Sequence, residues 1–248
     1  MIRVAVVKLT SCSGCITEIL TSIVSDEELA REVSTLYFPE LGFHDALSEY
    51  DVVLVEGSVT TNEQRNFIKA VRERSSILVA VGTCATLGGV QALRTCMNSL
   101  DLITETYGEG FKHRIYGSPI PLDELVEVDY HLPGCPVNAE AVKNLLKKLL
   151  LGGFPVKIVE SVCGDCKRKG NRCLLVELGE PCLGPITLSG CGALCPSRRR
   201  GCYGCYGLRI QDLSPENLKH FIERTGKPEH MTWLLKAYGY KHIKVLGV

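Results

Sequence analysis

Thirteen cysteines in 248 residues are the side chains with most chemistry to offer in this sequence. Three pairs are spaced C-x2-C: Cys12 and Cys15, Cys163 and Cys166, Cys202 and Cys205. Thiols so spaced suit zinc, disulfides or iron–sulfur clusters. A zinc ribbon places its two pairs about 15 to 20 residues apart. Here 35 residues separate Cys166 from Cys202, and four more cysteines lie between them. Disulfides fit a reducing compartment poorly, and an odd count leaves one thiol over. A [4Fe–4S] cube takes four thiolates, one per iron. Cys96 stands apart in "ALRTCMNSL", an amphipathic helical pattern with no nearby glycine or partner cysteine, and reads as a buried free thiol. The remaining twelve cysteines make three sets of four. "CGALCP" (191–196) also repeats the end of the bacterial ferredoxin run, C-x3-C-P. A zinc-stabilised binding module without redox chemistry is the plain alternative.

The elements that must position these thiols divide the chain in two. Residues 1–153 alternate strand and helix. "IRVAVVK" (2–8), "VSTLYF" (33–38), "YDVVLVEG" (50–57) and "SILVAVG" (76–82) are apolar, β-branched runs, and a weaker strand covers 126–132. Helical stripes follow at 13–24, after Thr60 or Thr61, and at 138–153, where Asn138 caps and two glycines stop the helix. This rhythm predicts an α/β fold with a doubly wound parallel sheet. Such sheets bind ligands beyond the carboxyl ends of their strands, where strand order reverses. Cys12 and Cys15 follow the first strand, Cys84 follows 76–82, and Cys135 follows 126–132, so all four belong to that edge. Gly14, Gly82, Gly88, Gly89 and Gly134 beside them permit close backbone approach. Residues 154–248 hold the other eight cysteines, from Cys163 to Cys205, amid Gly and Pro with little periodicity. Loops and short helical turns are expected there. A helix from Ser214 to Gly226, opened by Pro215, and another over "EHMTWLLKAYG" follow.

The bulk numbers exclude several classes. Twenty-eight basic residues balance 28 acidic ones, unlike a general nucleic-acid binder. No apolar run approaches the roughly 18 residues of a membrane span. Met1 leads straight into "IRVAVV", without the pattern of a secretory leader, so a cytoplasmic location is expected. Charge is uneven, however. Between 157 and 210 nine basic residues face four acidic ones. An oxidised cube with four thiolates carries a net charge of roughly −2, and buried sulfur of that charge needs nearby cations. Arg198–Arg200 read equally well as such cations or as a solvated basic face or partner-docking patch.

"LTSCSGC" (9–15), "VEGSV" (55–59), "GTCATLGGV" (82–90) and "LPGCPVN" (132–138), in this order, resemble the small subunit of nickel–iron hydrogenases. The resemblance covers at least residues 2–205. It implies a flavodoxin-like domain (1–153) whose proximal [4Fe–4S] cluster is held by Cys12, Cys15, Cys84 and Cys135. It implies a cysteine-rich domain (154–248) with two more [4Fe–4S] clusters, three in all. Cys163, Cys166, Cys173 and Cys182 resemble the distal set; Cys191, Cys195, Cys202 and Cys205 resemble the medial set. A cysteine lent between neighbouring clusters would change that division. Cysteine at the first distal position and a fourth medial cysteine make the chain more similar to cytosolic members. The delta subunits of archaeal sulfhydrogenases come nearest, followed by methanogen hydrogenases that do not use the deazaflavin.

The resemblance implies an oxidoreductase subunit acting on hydrogen, with the Ni–Fe site on a separate large subunit. Its task would be one-electron relay to a further iron–sulfur or flavin redox subunit. The face carrying Cys12 and Cys135 would be covered by the large subunit. Amides around Gly14, Gly88 and Gly134 are the expected donors to the proximal sulfurs. Glu56, at the end of a buried strand, needs a partner or its pKa rises. It either accepts loop amides or moves protons near the large subunit. His44, His113, His131 and His220 are assigned no metal. The rival from the same lineage is the 20 kDa iron–sulfur subunit of respiratory complex I. That protein has adjacent cysteines at the first motif, where Ser13 and Gly14 intervene here, and it lacks the eight-cysteine extension.

Overall fold

The structure, a computed structural model, describes the chain apart from residues 47, 112–116, 158, 226 and 248, and apart from the side chains of Cys96, Ser99 and Asp212. His113 and the expected helix stop at Gly226 therefore lie outside the described residues.

Six strands form one sheet in the order β3-β2-β1-β4-β5-β6. They are β1 (Ile2–Lys8), β2 (Val33–Phe38), β3 (Phe43–His44), β4 (Tyr50–Glu56), β5 (Ser75–Val81) and β6 (Tyr130–Leu132). All pairings are parallel except β2 with β3. The chain builds outward from β1 to β3, then crosses to β4 on the other side. The reversal of strand order thus falls between β1 and β4, where a ligand crevice is expected. Thr10 and Ser58 bridge the two loops that leave these strands.

Alternation sends successive residues to opposite faces, and both faces are covered. Val4, Val6, Leu54, Val79 and Val81 pack under α1 (Gly14–Val24) and α6 (Ala139–Leu150) through Ile19, Leu145 and Leu146. Ala5, Val7, Val53, Val55, Leu78 and Ala80 pack with Ile68 and Val71 of α3 (Asn62–Glu73). This explains why these strands read as continuous apolar runs. A short α2 (Glu27–Glu32) closes the first crossover.

The sequence-based expectations hold closely for the strands and caps. Thr61 caps α3 in a reciprocal box with Gln64, and Asn138 caps α6. Three features differ. The last strand begins at Tyr130 rather than 126, because Asp129 takes the Leu78 N–H with its carboxylate (2.7 Å) instead of a backbone carbonyl. The stretch around Cys96 is a run of 3-10 turns, followed by a separate helix, α5 (Ser99–Tyr107). Asn98 makes the break by accepting the Leu100 N–H at 2.9 Å, as a cap does. The edge strand β3 is two exposed residues after a tight turn, too short to leave a periodic signal.

Between them, α4 (Gly82–Leu87) follows β5 directly. Beyond α6 come only short pieces: α7 (Val162–Arg168), α8 (Leu174–Glu177) and α9 (Leu194–Ser197). Two helices end the chain, α10 (Pro215–Arg224), capped by Ser214, and α11 (Pro228–Leu246). The last is longer than its expected 229–239 and kinks at Gly239. It returns to pack against α4 and the turns after it. Asp123 anchors it there, accepting from Lys241 and from His131 (3.1 Å) on one oxygen.

Burial alone would raise the Asp123 pKa, but the bonds from His131 and Lys241 outweigh it and bring the carboxyl down to about 2. A carboxyl lowered on folding stabilises above its unfolded pKa of about 3.9, and that gain is lost as pH falls toward the folded value. Asp123→Asn is therefore expected to lower the thermal midpoint at pH 7. The gap from the parent should narrow between about pH 4 and pH 2. An equal gap at both ends of that range would show that Asp123 does not anchor the helix.

Candidate metal centre

Three loops at the carboxyl edge deliver Cys12 with Cys15, Cys84 and Cys135. Cys12 lies in the turn after β1, and Ser13, with φ 68°, re-aims the chain so that Cys15 enters the first turn of α1. Cys84 sits in α4 and Cys135 follows β6. The four thiols bear on one another. Burial first, then the charges of Glu56, Cys84 and Cys135, push the Cys15 thiol up to about 12, although the Val137 N–H opposes this. Cys84 rises to about 12 through burial and the charges of Cys135, Cys12 and Glu56. Cys135 also rises, through burial and then Cys12 and Glu56.

The later cysteines gather beside this group. Cys163, on α7, is pushed up to about 11 by burial and by Cys182, Cys166 and Cys173. Cys202 and Cys205 rise to about 12, chiefly by burial. Cys205 also feels Cys191, Cys195 and Cys135, while Cys195 feels Cys191 and Cys182. Sulfur meets backbone or amide donors throughout. Cys202 N–H donates to Cys182 Sγ (3.2 Å), Asn171 Nδ2 to Cys166 Sγ (3.7 Å), and Val137 N–H to Cys15 Sγ (3.4 Å). Cys182 thus lies between the Cys163 group and the Cys191–Cys205 group. All twelve cysteines with described side chains are unpaired thiols.

The chemistry of this donor set suits iron–sulfur clusters. Buried thiols with such raised pKa values keep their protons at neutral pH unless a metal displaces them. Such thiols are found in both cysteine-rich regions, among twelve described cysteines that could form three sets of four, with amide donors at several sulfurs and basic residues nearby. Arg200 opposes the rise at Cys195, and Lys167 opposes that at Cys163. Among the described residues, no three His, Cys, Asp or Glu side chains converge as the shell of one metal ion would.

The glycines divide in a way that spacing alone did not reveal. Gly88 N–H is committed to the Cys84 carbonyl (3.1 Å) and Gly134 N–H to the Thr83 hydroxyl (3.2 Å), so neither reaches sulfur. The amides bearing on the first set come from Val137 and Val90. Gly14 instead lets Pro136 and the Cys12 sulfur approach its backbone. The positions with least room are Gly82 and Gly89. A Cβ at Gly82 would overlap Cys15 Sγ; one at Gly89 would lie 2.7 Å from Cys84 Cα. Both have positive φ, 79° and 64°.

Glu56 is buried and accepts the Cys15 N–H at 3.3 Å, the loop-amide role expected of it. Its other oxygen has no partner among the described residues, and burial raises its pKa against the pull of Ser11 and Cys15. His131 pairs with Asp123, and His220 lies 3.4 Å from Arg224. The close approach expected at Gly82 and Gly89 is found there; sequence reasoning missed Thr83, although "GTC" was its signal. It also missed His242, partly buried on α11, whose Nδ1 accepts the Leu208 N–H (2.9 Å). Burial and the neighbouring Lys241 hold His242 neutral, with a pKa of about 4.

Residues 12–149 match the family model described as NADH ubiquinone oxidoreductase, 20 Kd subunit. The chain is 36% identical over 219 residues to the delta subunit of sulfhydrogenase 2 of Pyrococcus furiosus, covering 86% of this chain and 89% of that one. It is 30% identical over 242 residues to the vhu G-type subunit of the F420-non-reducing hydrogenase of Methanocaldococcus jannaschii, covering 86% and 84%. Among solved structures, a chain of an NAD+-reducing [NiFe]-hydrogenase in the H2-reduced state superposes with a TM-score of 0.55 at 33% identity, covering 63% of this chain and 94% of that one. A chain of the Ni-Fe-Se hydrogenase from Desulfomicrobium baculatum shares the fold at 18% identity, with a TM-score of 0.53, covering 82% and 94%.

Gly89→Ala would force its methyl against Cys84 and strain the backbone. It is expected to cost about 1–3 kcal/mol, read as a lower denaturant midpoint with an unchanged slope. A variant as stable as the parent would mean that Cys84 does not sit against residue 89.

Proposed function

We propose that this chain, which belongs over residues 12–149 to the 20 kDa-subunit family and over most of its length to the family of sulfhydrogenase delta subunits and their F420-non-reducing hydrogenase counterparts, is the electron-relay small subunit of a [NiFe] hydrogenase. It is an oxidoreductase subunit of hydrogen metabolism. The Ni–Fe site would lie on a large-subunit partner, and a further iron–sulfur or flavin subunit would exchange electrons at the other end. The observation that carries this reading is the convergence of Cys12, Cys15, Cys84 and Cys135 from three loops of one sheet edge, with Cys205 adjoining them.

In this reading Cys12, Cys15, Cys84 and Cys135 hold the first of three [4Fe–4S] clusters. Cys191, Cys195, Cys202 and Cys205 hold the second, and Cys163, Cys166, Cys173 and Cys182 the third. A [4Fe–4S] cluster, when bound, takes up and releases one electron at a potential set by its surroundings. The protein's contribution is to orient the thiolates, exclude water and aim amides at sulfur. The closeness of Cys205 to Cys135 supports the second set lying next to the first. The exposure of Cys173 supports the third set lying outermost. At the first set, exposed Cys12 and half-exposed Val90 mark the face the large subunit would cover. Glu56 acts there as an amide acceptor for Cys15. No helix among the described residues is long and apolar enough to cross a membrane. The relay is proposed to work in the cytoplasm.

The complex I-type reading draws on the family model, but that match ends at 149 and takes in none of the cysteines from Cys163 onward. Counting metal in the native complex, purified without oxygen, separates the readings. About twelve irons per chain are expected, with broad absorption near ~400 nm. About four irons would favour the complex I type, and a colourless zinc protein the binding module. Cys84→Ser should remove the iron of the first cluster and leave about eight. An unchanged iron content in that variant would remove Cys84 from the ligand set.

A further inference from the structure

The two cysteine groups nearest each other are joined by one side chain. Thr83 is 1% exposed and precedes Cys84. Its N–H donates to the Gly134 carbonyl (2.9 Å), and its hydroxyl oxygen accepts the Gly134 N–H (3.2 Å). The single hydroxyl proton goes to the carbonyl of Cys205, 122 residues along the chain. Each partner is therefore a cysteine or the residue just before one: Thr83 before Cys84, Gly134 before Cys135, and Cys205 itself. The hydroxyl's donor and acceptor capacity is used in one direction, with no freedom to rotate away. The Cys135 amide bears on the Cys205 thiol at the same junction, and Gly134 leaves room for the Tyr206 ring.

We propose that Thr83 is a positioning residue that sets the separation and coupling of the first and second thiolate sets. The inference rests on the relay reading above and goes beyond it. Cysteine positions alone do not fix how two sets face each other across the sheet edge. Gly134 and Cys205 come from separate parts of the chain, and the Thr83 hydroxyl is the group that touches both. Valine has the same shape without the hydroxyl. It would leave a buried N–H and a buried carbonyl without their partner, and such groups move to find another. Serine keeps the hydroxyl and loses only a methyl.

The test uses the native complex carrying Thr83→Val or Thr83→Ser, with iron counted first. The readouts are the magnetic interaction between clusters in the fully reduced protein and the rate of electron passage along the chain. Thr83→Val is expected to keep its iron, to change the magnetic splitting, and to slow electron passage several-fold. Thr83→Ser should match the parent in all three. A Thr83→Val protein with the parent's splitting and rate overturns the proposal, as does a Thr83→Ser protein altered as much as the valine variant. If Thr83→Val assembles no clusters, Thr83→Ser decides alone: the parent splitting supports the role, and a changed one overturns it. Failure of the relay reading is distinguishable, because the unmutated complex would then lack the iron on which these measurements depend.

Discussion

Sulfur that must become negative is costly to bury, and this chain buries a great deal of it. The thiols of Cys15, Cys84, Cys202 and Cys205 are so desolvated that their protons would leave only near pH 12. At neutral pH these thiols keep their protons, and a metal that displaced the protons would have to neutralise the sulfur in their place. The rest of the architecture follows from that need. Amides point at several sulfurs, basic residues stand beside the later cysteines, and glycines give way where a Cβ would strike Cys15 or Cys84.

The sheet meets this need through its topology. Parallel strands end at one edge, so their following loops meet there without any loop being long. The apolar packing on both faces makes that edge rigid, which matters because each thiol depends on its neighbours' positions. Among its described residues, the second half of the chain has no comparable sheet. Its short helical turns enclose small clusters of apolar residues, such as Val162 and Ala193 beside Cys182 and Cys202. Two helices, α10 and α11, pack there on Leu183, Ile186 and Leu208. The return of α11 to the first half, anchored at Asp123 and His242, ties the two parts into one body of contacts.

The contact between the halves is polar where it meets the thiols and apolar around them. Thr83 links Gly134 to Cys205, and Tyr206 is buried beside Gly134 and Gly190. A hydroxyl and an aromatic ring do different jobs at this place. The ring fills volume and keeps water out. The hydroxyl fixes direction, because each of its bonds has a defined donor and acceptor.

Much of this was legible in the residues. Apolar runs of β-branched side chains announced four strands, since strands covered on both faces leave an unbroken signal. Thr61, Asn138 and Ser214 announced helix starts, because capping is local chemistry between a side chain and the next turn. The position of Cys12, Cys15, Cys84 and Cys135 after strands was enough to gather them, since strand ends share an edge. What the tertiary structure decided lay in contacts between distant segments. Gly88 and Gly134 turned out to give their amides to oxygen. The two-residue β3 and the break at Asn98 escaped a reading that depends on periodicity. The Thr83–Cys205 link and the Asp123 anchor span more than a hundred residues each, and no local pattern encodes a partner that far away. Composition and spacing determine which atoms are available for chemistry; only the packed chain decides which of them meet.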